Sequence, residues 1–125
     1  MTIIDNAALE RATLPGLEHV TLAGSGAGLS HLSVWRQRLE PGAATPPHRH
    51  DCEEVVLIQS GRGTLHIADG IREFGPDSTL VLPADMTHQI VNSGTEPMDL
   101  IGILAMAPVE VRTPNGELIE LPWAT

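Results

Sequence analysis

Short apolar segments separated by turn residues are the feature that most limits how this chain can fold. Runs of four to eight residues, rich in aliphatic and β-branched side chains, alternate with clusters of Gly, Pro, Asn, Asp and Ser. Twelve glycines and ten prolines leave little room for long helices. The pattern predicts an all-β sandwich or barrel. The predicted strands cover residues 17–22, 32–39, 55–58, 64–67, 79–82, 88–91 and 100–105.

The length of 125 residues fits one domain with a modest core. We expect a barrel over about residues 16–112, an N-terminal arm over residues 1–15 and a C-terminal tail over residues 113–125. Within the arm, residues 5–11 are predicted to form a short helix, because Asp5 or Asn6 can cap its first turn. The glycine-rich residues 24–28 are expected to form a loop between the first two strands.

Composition excludes several classes of protein. Seven basic residues stand against sixteen acidic ones, a formal net charge of −9 at pH 7, so the basic surface that grips nucleic acid is missing. The single cysteine, Cys52, cannot form an intrachain disulfide. No apolar run approaches the ~20 residues that span a bilayer, and the N-terminus has no pattern of a secretory signal. We expect a cytoplasmic protein that binds neither nucleic acid nor membrane.

Residues 42–61 carry the clearest chemical signal. Alternate residues of an extended chain face the same side, so His48 and His50 project together and Glu54 keeps their parity. His88 begins a later predicted strand, which an antiparallel barrel can bring beside them. Three imidazoles and a carboxylate suit Zn, Fe, Ni, Mn or Cu, and the set does not select one metal. The spacing predicts a metal site made by these four residues.

The same segment resembles the cupin family. Its first motif, G-x5-H-x-H-x3-E-x6-G, is matched at all five fixed positions, from Gly42 to Gly61. The second, P-x-G-x2-H-x3-N, is matched by PADMTHQIVN except that Asp85 replaces glycine, and Asp77 stands where a leading glycine is usual. The resemblance implies the cupin double-stranded β-helix, a jelly-roll barrel. It also implies that His48, His50, Glu54 and His88 are the ligands of one divalent metal per chain, Zn or alternatively Fe, Mn or Ni.

Three further segments resemble the plant auxin-binding proteins: PGLEHVTLAG, SVWRQRLEPGAATPPHRHDCEEV and LIELPW. Members of that family are homodimeric cupins whose zinc takes the carboxylate of an indole acetate. The resemblance places Gln37, Thr45 and Pro46 near the ligand, and Trp123 matches a tail tryptophan that packs on the ring. Val56 stands where the plant family has a phenylalanine, which implies a thinner aromatic wall.

The remaining reactive side chains have plainer interpretations. Cys52 shares the parity of the ligands, and we expect a buried thiol in preference to a redox group beside the metal. Trp35 is assigned to the pocket, to a dimer face or to the core. The other histidines lack partners at ligand spacing and are expected on the surface, and Asp85 is expected in a turn. Residues predicted to point away from the site are Arg36, Arg38 and Glu53, and the histidines left out of it are His19, His31 and His66.

Three functions remain open at this point. The first is a binding module that holds a small organic acid through the metal, as the resemblance implies. The second is a metal-dependent dioxygenase, isomerase or lyase acting on a small organic substrate, with Glu54 as the only evident proton carrier. The third is a structural metal that only stabilises the barrel. In each case the expected partner is a second copy of the chain, forming a homodimer.

Overall fold

The computed structural model describes residues 1–125 and is built almost entirely of antiparallel strands. Short apolar segments bounded by turn residues form these strands, as their composition predicts. The strands are β1 (Ala12–Leu14), β2 (Leu17–Ala23), β3 (Ser33–Leu39), β4 (Glu54–Ser60), β5 (Gly63–Ile67), β6 (Gly70–Phe74), β7 (Ser78–Leu82), β8 (His88–Val91), β9 (Met98–Leu104), β10 (Val111–Arg112) and β11 (Leu118–Ile119).

Two main sheets form the jelly-roll barrel. The larger has six strands in the order β1-β2-β3-β9-β4-β7, the smaller has three in the order β6-β5-β8, and β10 pairs with β11. The extended segment before β4 runs antiparallel to β8, because Ala44 bridges to Val91 and His48 to His88. Its next residue, Arg49, bridges to Arg112 in β10. The segment between β3 and β4 is therefore held between β8 and β10.

Alternating burial along the strands produces the core. In β9 every second residue from Met98 to Leu104 is buried, which is the period of a sheet with one face covered. The main core cluster joins the two sheets, since Ile90 of β8 packs with residues of the larger sheet. A second, smaller cluster lies around Trp35. The buried members of the main cluster are Leu17, Leu39, Val56, Ile58, Leu80, Leu82, Ile90, Met98 and Leu100.

All seven predicted strands are present, with ends that differ by up to two residues. Four strands were not predicted. Three of them, β1, β10 and β11, have only two or three residues. The fourth, β6, has three consecutive exposed residues, Ile71, Arg72 and Glu73, and therefore lacks the burial alternation that marks strands such as β8 and β9. These strands arise from pairing with neighbours, which local sequence does not encode.

The N-terminal helix is shorter than predicted. A single 3₁₀ turn covers Asn6–Ala8, where Asp5 accepts a hydrogen bond from the Ala7 N–H at 3.1 Å, so the expected cap is present. A second 3₁₀ turn occupies Ser25–Ala27 in the glycine-rich connection. None of the helices has the length and apolar character required to span a membrane.

Two aspartates occupy left-handed backbone positions, which explains why glycine is usual there. Asp77 has φ 60° and Asp85 has φ 63°. Aspartate tolerates this conformation better than most residues with a Cβ atom. The turn predicted at Asp85 is therefore confirmed. Motif glycine Gly61 has φ 91° and lies so close to β9 that an added Cβ would be 2.7 Å from Met98 Cα.

Candidate metal centre

Three histidines converge at one end of the barrel. His48 and His88 pair through two backbone hydrogen bonds of 3.0 and 2.9 Å, and His50 lies two residues along the same extended segment. The side-chain atoms that they offer as ligands all lie within 4.8 Å of one another. All three side chains are buried, with relative exposures of 9%, 3% and 2% for His48, His50 and His88. These residues form a group that can hold a metal ion.

Backbone carbonyls hold the three imidazole rings in one tautomer. His48 Nδ1 lies 2.7 Å from the Pro46 carbonyl oxygen, and His88 Nδ1 lies 2.9 Å from that of Met86. His50 Nδ1 lies 3.0 Å from the carbonyl oxygen of Glu110. A carbonyl oxygen only accepts hydrogen bonds, so each Nδ1 carries the proton and each Nε2 keeps its lone pair. This is the usual arrangement of metal-binding histidines.

Glu54 presents a carboxylate to the same place. Its Oε1 atom lies 3.3 Å from His88 Nε2 and 3.8 Å from His50 Nε2. These three atoms are buried and have no hydrogen-bond partner in the structure. Unpartnered buried polar atoms are costly, and a divalent cation would satisfy all three at once. The donor set of three nitrogens and one oxygen therefore fits a divalent metal.

The electrostatics of the cluster keep His48 ready to bind a cation. Burial, reinforced by the neighbouring His88, lowers the pKa of His48 from 6.5 to about 4. The imidazole is therefore neutral at pH 7, and a metal ion does not have to displace a proton from its lone pair. The physical cause of this shift is that burial disfavours the charged form of the imidazole.

An ionic network behind the site connects the segments that carry the ligands. Arg49 donates to Asp51 and Asp85 at 3.1 and 2.9 Å, and Arg112 donates to the other oxygen of Asp51 at 2.8 Å. Arg112 also pairs with Glu110, whose carbonyl orients His50. The Asp85 carboxylate thus contacts an arginine and not a ligand histidine. Because one aspartate bridges two arginines, the network holds β10 against the ligand segment.

A cavity of about 380 Å³ opens from the metal cluster into the barrel. The four predicted ligands lie in its wall, and no arginine does. Two tryptophans, Trp35 and Trp123, provide the aromatic surface, and aliphatic side chains provide most of the rest. The structure places every predicted pocket residue in this wall: Gln37, Thr45, Pro46, Val56 and Trp123.

The C-terminal tail forms the outer side of the cavity. Leu121, Pro122 and Trp123 line both the cavity and a second, larger pocket of about 750 Å³ on the other side of the tail. Thr125 accepts a hydrogen bond from the Val109 N–H at 2.9 Å, and its carbonyl accepts one from Ser25. The tail is therefore a wall between two spaces.

The prediction that His19 lies on the surface is wrong. Its side chain is 1% exposed and stacks on Trp123 with ring centroids 3.9 Å apart. Trp35 contacts the same ring edge-on at 4.9 Å. Burial lowers the pKa of His19 to about 4. No sequence signal marks this position, because the tail that covers it is about a hundred residues away along the chain.

Other side chains follow their plainer interpretations. Cys52 is buried in the smaller core cluster, does not line the cavity, and has a thiol pKa that burial raises. Trp35 belongs to both the core and the cavity wall, so these two alternatives were not exclusive. Of the two remaining histidines, His31 is exposed and His66 is half-buried beside Thr64. The side chains of Arg38 and Glu53 are exposed and Arg36 is half-buried, all away from the cluster.

Sequence reasoning missed most of the apolar wall. Ile90 and Leu100 are buried at alternating positions of β8 and β9, so burial alternation was the signal that could have found them. The carbonyls that orient the histidines carry no such signal, since any residue supplies one. The unpredicted apolar members are Leu14, Leu17, Ile90, Leu100, Val111, Ile119 and Leu121.

An antiparallel jelly roll with histidines converging inside one end defines this protein as a cupin. Solved structures with this fold agree. A sugar phosphate isomerase from Silicibacter pomeroyi is 23% identical with a TM-score of 0.73, covering 92% of this chain and 89% of that one. The polyketide cyclase RemF from Streptomyces resistomycificus is 18% identical with a TM-score of 0.75, covering 97% and 87%. These similarities establish the fold.

Within the cupins, the chain belongs to the auxin-binding protein family, whose model matches residues 3–116. Auxin-binding protein 1 of Arabidopsis thaliana is 36% identical over 107 residues, which is 78% of this chain and 54% of the relative. Auxin-binding protein 4 of Zea mays is 32% identical over 107 residues, 77% of this chain and 52% of the relative. The chain therefore spans about half the length of these relatives.

Proposed function

We propose that this protein binds one divalent metal through His48, His50, His88 and Glu54 and uses it to hold the carboxylate of a small organic acid. One observation carries the proposal. Buried donor atoms of His50, His88 and Glu54 lack any partner, yet the imidazoles are oriented by carbonyls so that their lone pairs converge. When bound, a divalent metal supplies a Lewis-acid site for a carboxylate or a water molecule.

The cavity supports an acid with one carboxylate and an apolar body. Its wall contains no arginine, and the chain has no lysine, so the metal is the only cation available to a ligand. A second carboxylate or a phosphate would be buried without a counter-charge, which is strongly unfavourable. The rest of the wall is mainly apolar, and burying the apolar surface of a ligand against it is favourable by about 25 cal/mol per Å². Its volume of about 380 Å³ lies in the range of small-molecule pockets.

Family membership supports the same class of ligand and favours zinc. The relatives are called auxin-binding proteins, and indole-3-acetate is a monocarboxylate with an aromatic body. The donor set also accepts Fe, Mn or Ni, so metal identity has to be measured. With Val56 in the wall and only two tryptophans near it, the cavity has few aromatic contacts, each worth about 0.5–1.5 kcal/mol in a pair.

Elemental analysis of protein purified without metal-affinity chromatography tests the first half of the proposal, which is metal binding. We expect about one metal per chain in the wild type, less than a tenth of that in the double variant His48→Ala/His50→Ala, and an unchanged content in His66→Ala. The His66→Ala variant is the matched control, because it removes a half-buried histidine outside the cluster. Equal metal contents in all three proteins, or none even after reconstitution, would exclude this site.

Calorimetric titration of the metal-loaded protein tests the second half. Indole-3-acetate is expected to bind, whereas 3-methylindole, which lacks the carboxylate, and tryptamine, which carries an amine, are expected not to bind. Binding that is independent of the metal would contradict carboxylate capture. Full metal binding without any ligand binding would favour a structural metal.

A second function, metal-dependent catalysis, rests on Glu54. Its Oε1 atom is buried and unpartnered 3.3 Å from His88 Nε2, in the wall of a cavity large enough for a substrate. A carboxylate in this position can hold or release a proton. Cupins with similar folds include enzymes named sugar phosphate isomerase and oxalate decarboxylase. Product formation from candidate acids, followed by mass spectrometry and abolished in Glu54→Gln, would support catalysis over capture.

We also propose that the protein forms a homodimer through the outer face of the larger sheet. Val34, Ile103, Val55 and Val81 stand side by side on β3, β9, β4 and β7, and Val81 is 73% exposed. Sedimentation velocity should show a dimer that Val81→Glu dissociates and Ile71→Glu, on the smaller sheet, leaves intact. A monomeric wild type would exclude this contact.

A further inference from the structure

A buried histidine outside the metal cluster joins the C-terminal tail to the ligand cavity. His19 Nδ1 lies 3.0 Å from Gln37 Nε2, and its Nε2 lies 2.8 Å from Thr21 Oγ1. Thr21 Oγ1 lies 2.7 Å from the carbonyl oxygen of Ala124. One end of this chain of hydrogen bonds is therefore in the tail, and the other end is Gln37, a residue of the cavity wall.

The carbonyl at the tail end sets the direction of every bond in the chain. Because the Ala124 carbonyl only accepts, the Thr21 hydroxyl must donate its single hydrogen to it. The Thr21 oxygen is then available to accept the Nε2–H of His19. A neutral imidazole with its proton on Nε2 has a bare Nδ1, which accepts an N–H from the Gln37 amide. The tail thus determines the tautomer of His19 and the orientation of the amide.

Packing keeps this histidine neutral and in place. Trp123 stacks on one face of the ring, with an interplanar angle of 12°, and Trp35 contacts it edge-on. Burial lowers the pKa of His19 to about 4, so the neutral form that the hydrogen bonds require is present at pH 7. A buried network with every member satisfied fixes a unique arrangement of its groups.

We infer that His19 is a positioning residue that couples docking of the C-terminal tail to the orientation of the Gln37 amide in the ligand cavity. When the tail is docked, one N–H of Gln37 is committed to His19. When the tail leaves, the Thr21 hydroxyl is free to rotate, both tautomers of His19 become acceptable, and the amide can turn through 180°. The inference about ligand affinity rests on the proposed function, whereas the tautomer does not.

Nitrogen-15 NMR of the metal-free protein tests the coupling directly at pH 7. In the wild type, His19 should carry its proton on Nε2 alone. Thr21→Val removes the hydroxyl at similar size and should move the His19 proton wholly or partly to Nδ1. The matched control is Thr64→Val, which removes the hydroxyl from a histidine–threonine pair of the same spacing, His66 with Thr64, outside the cavity. A wild type protonated on Nδ1, or a Thr21→Val variant still protonated only on Nε2, would overturn the inference.

A double-mutant cycle extends the test to ligand binding. Thr21→Val and Gln37→Met are combined in zinc-loaded protein, with indole-3-acetate as the probe. Each single change should weaken binding about 3–10-fold, which is the worth of one hydrogen bond. The loss of affinity in the double variant should be clearly smaller than the product of the two single-variant fold-changes, because both substitutions act through His19. In a His19→Phe background, which keeps a ring against Trp123, the Thr21→Val change should have no further effect.

The outcomes separate this inference from the proposed function. Additive effects of Thr21→Val and Gln37→Met, or an unchanged affinity in both, would refute the coupling. Failure of the wild type to bind zinc or the probe would refute the proposed function and leave the NMR result as the test of the tautomer. Thr64→Val should change neither the probe affinity nor the His19 spectrum.

Discussion

Replacing Trp123 by alanine should release the tail from the barrel and lower the free energy of unfolding. The indole stacks on His19 at 3.9 Å and meets Trp35 edge-on at 5.8 Å. Two aromatic pairs at about 0.5–1.5 kcal/mol each amount to about 1–3 kcal/mol. Fully buried tryptophan-to-alanine changes cost about 3–5 kcal/mol, and Trp123 is half-buried. We therefore expect a loss of about 2–3 kcal/mol.

Urea unfolding followed by far-ultraviolet circular dichroism is the suitable assay, because it does not depend on the tryptophan that is removed. Trp123→Phe is the control. It keeps an aromatic ring against His19 and should cost less than about half as much as alanine. An unfolding free energy in Trp123→Ala within about 0.5 kcal/mol of the wild type, which is the usual range for uninvolved surface sites, would show that the tail does not pack on the barrel in solution.

The remaining predictions concern the metal, the pH and the backbone. Zinc at about 100 times its dissociation constant should stabilise the fold by about 2.7 kcal/mol, and differential scanning calorimetry should show no such gain in His48→Ala/His50→Ala. The depressed pKa of His19, about 4 against 6.5, means that the unfolded state binds more protons between these values. Stability should therefore fall as pH drops from 6.5 to 4, and fall less in His19→Phe; equal slopes in urea titrations would contradict this. Asp77→Ala should lose about 1 kcal/mol because φ is 60° there, while Asp77→Gly should not; equal losses would argue against backbone strain.

Much of the fold could be predicted because its signals are local. Strands such as β3 and β4 alternate apolar and polar residues, and this period reflects a sheet with one buried face. The fixed positions of the cupin motif include a residue that the backbone geometry requires as well as metal ligands, since Gly61 has a positive φ that few other residues adopt. Asn92 of the second motif also has a structural role, as its amide donates to the carbonyls of Leu39 and Glu96.

Short strands and the burial of His19 could not be predicted, because each depends on a distant partner. β10 exists where Val111 meets Ile119, and it is also held by the backbone pairing of Arg49 with Arg112. His19 is covered by Trp123, which lies far along the chain. The local sequence around each residue does not predict such contacts.

The strand pattern and the ligand spacing of three histidines and one carboxylate can be read from the chain alone, because strand parity and motif spacing are local properties. How those side chains come together depends on contacts that form when the barrel folds. Barrel folding brings His88 to His48 across two paired segments, supplies the carbonyl of Glu110 to orient His50, and places the tail against the cavity. Such contacts join residues tens of positions apart, so they exist only once the barrel has closed.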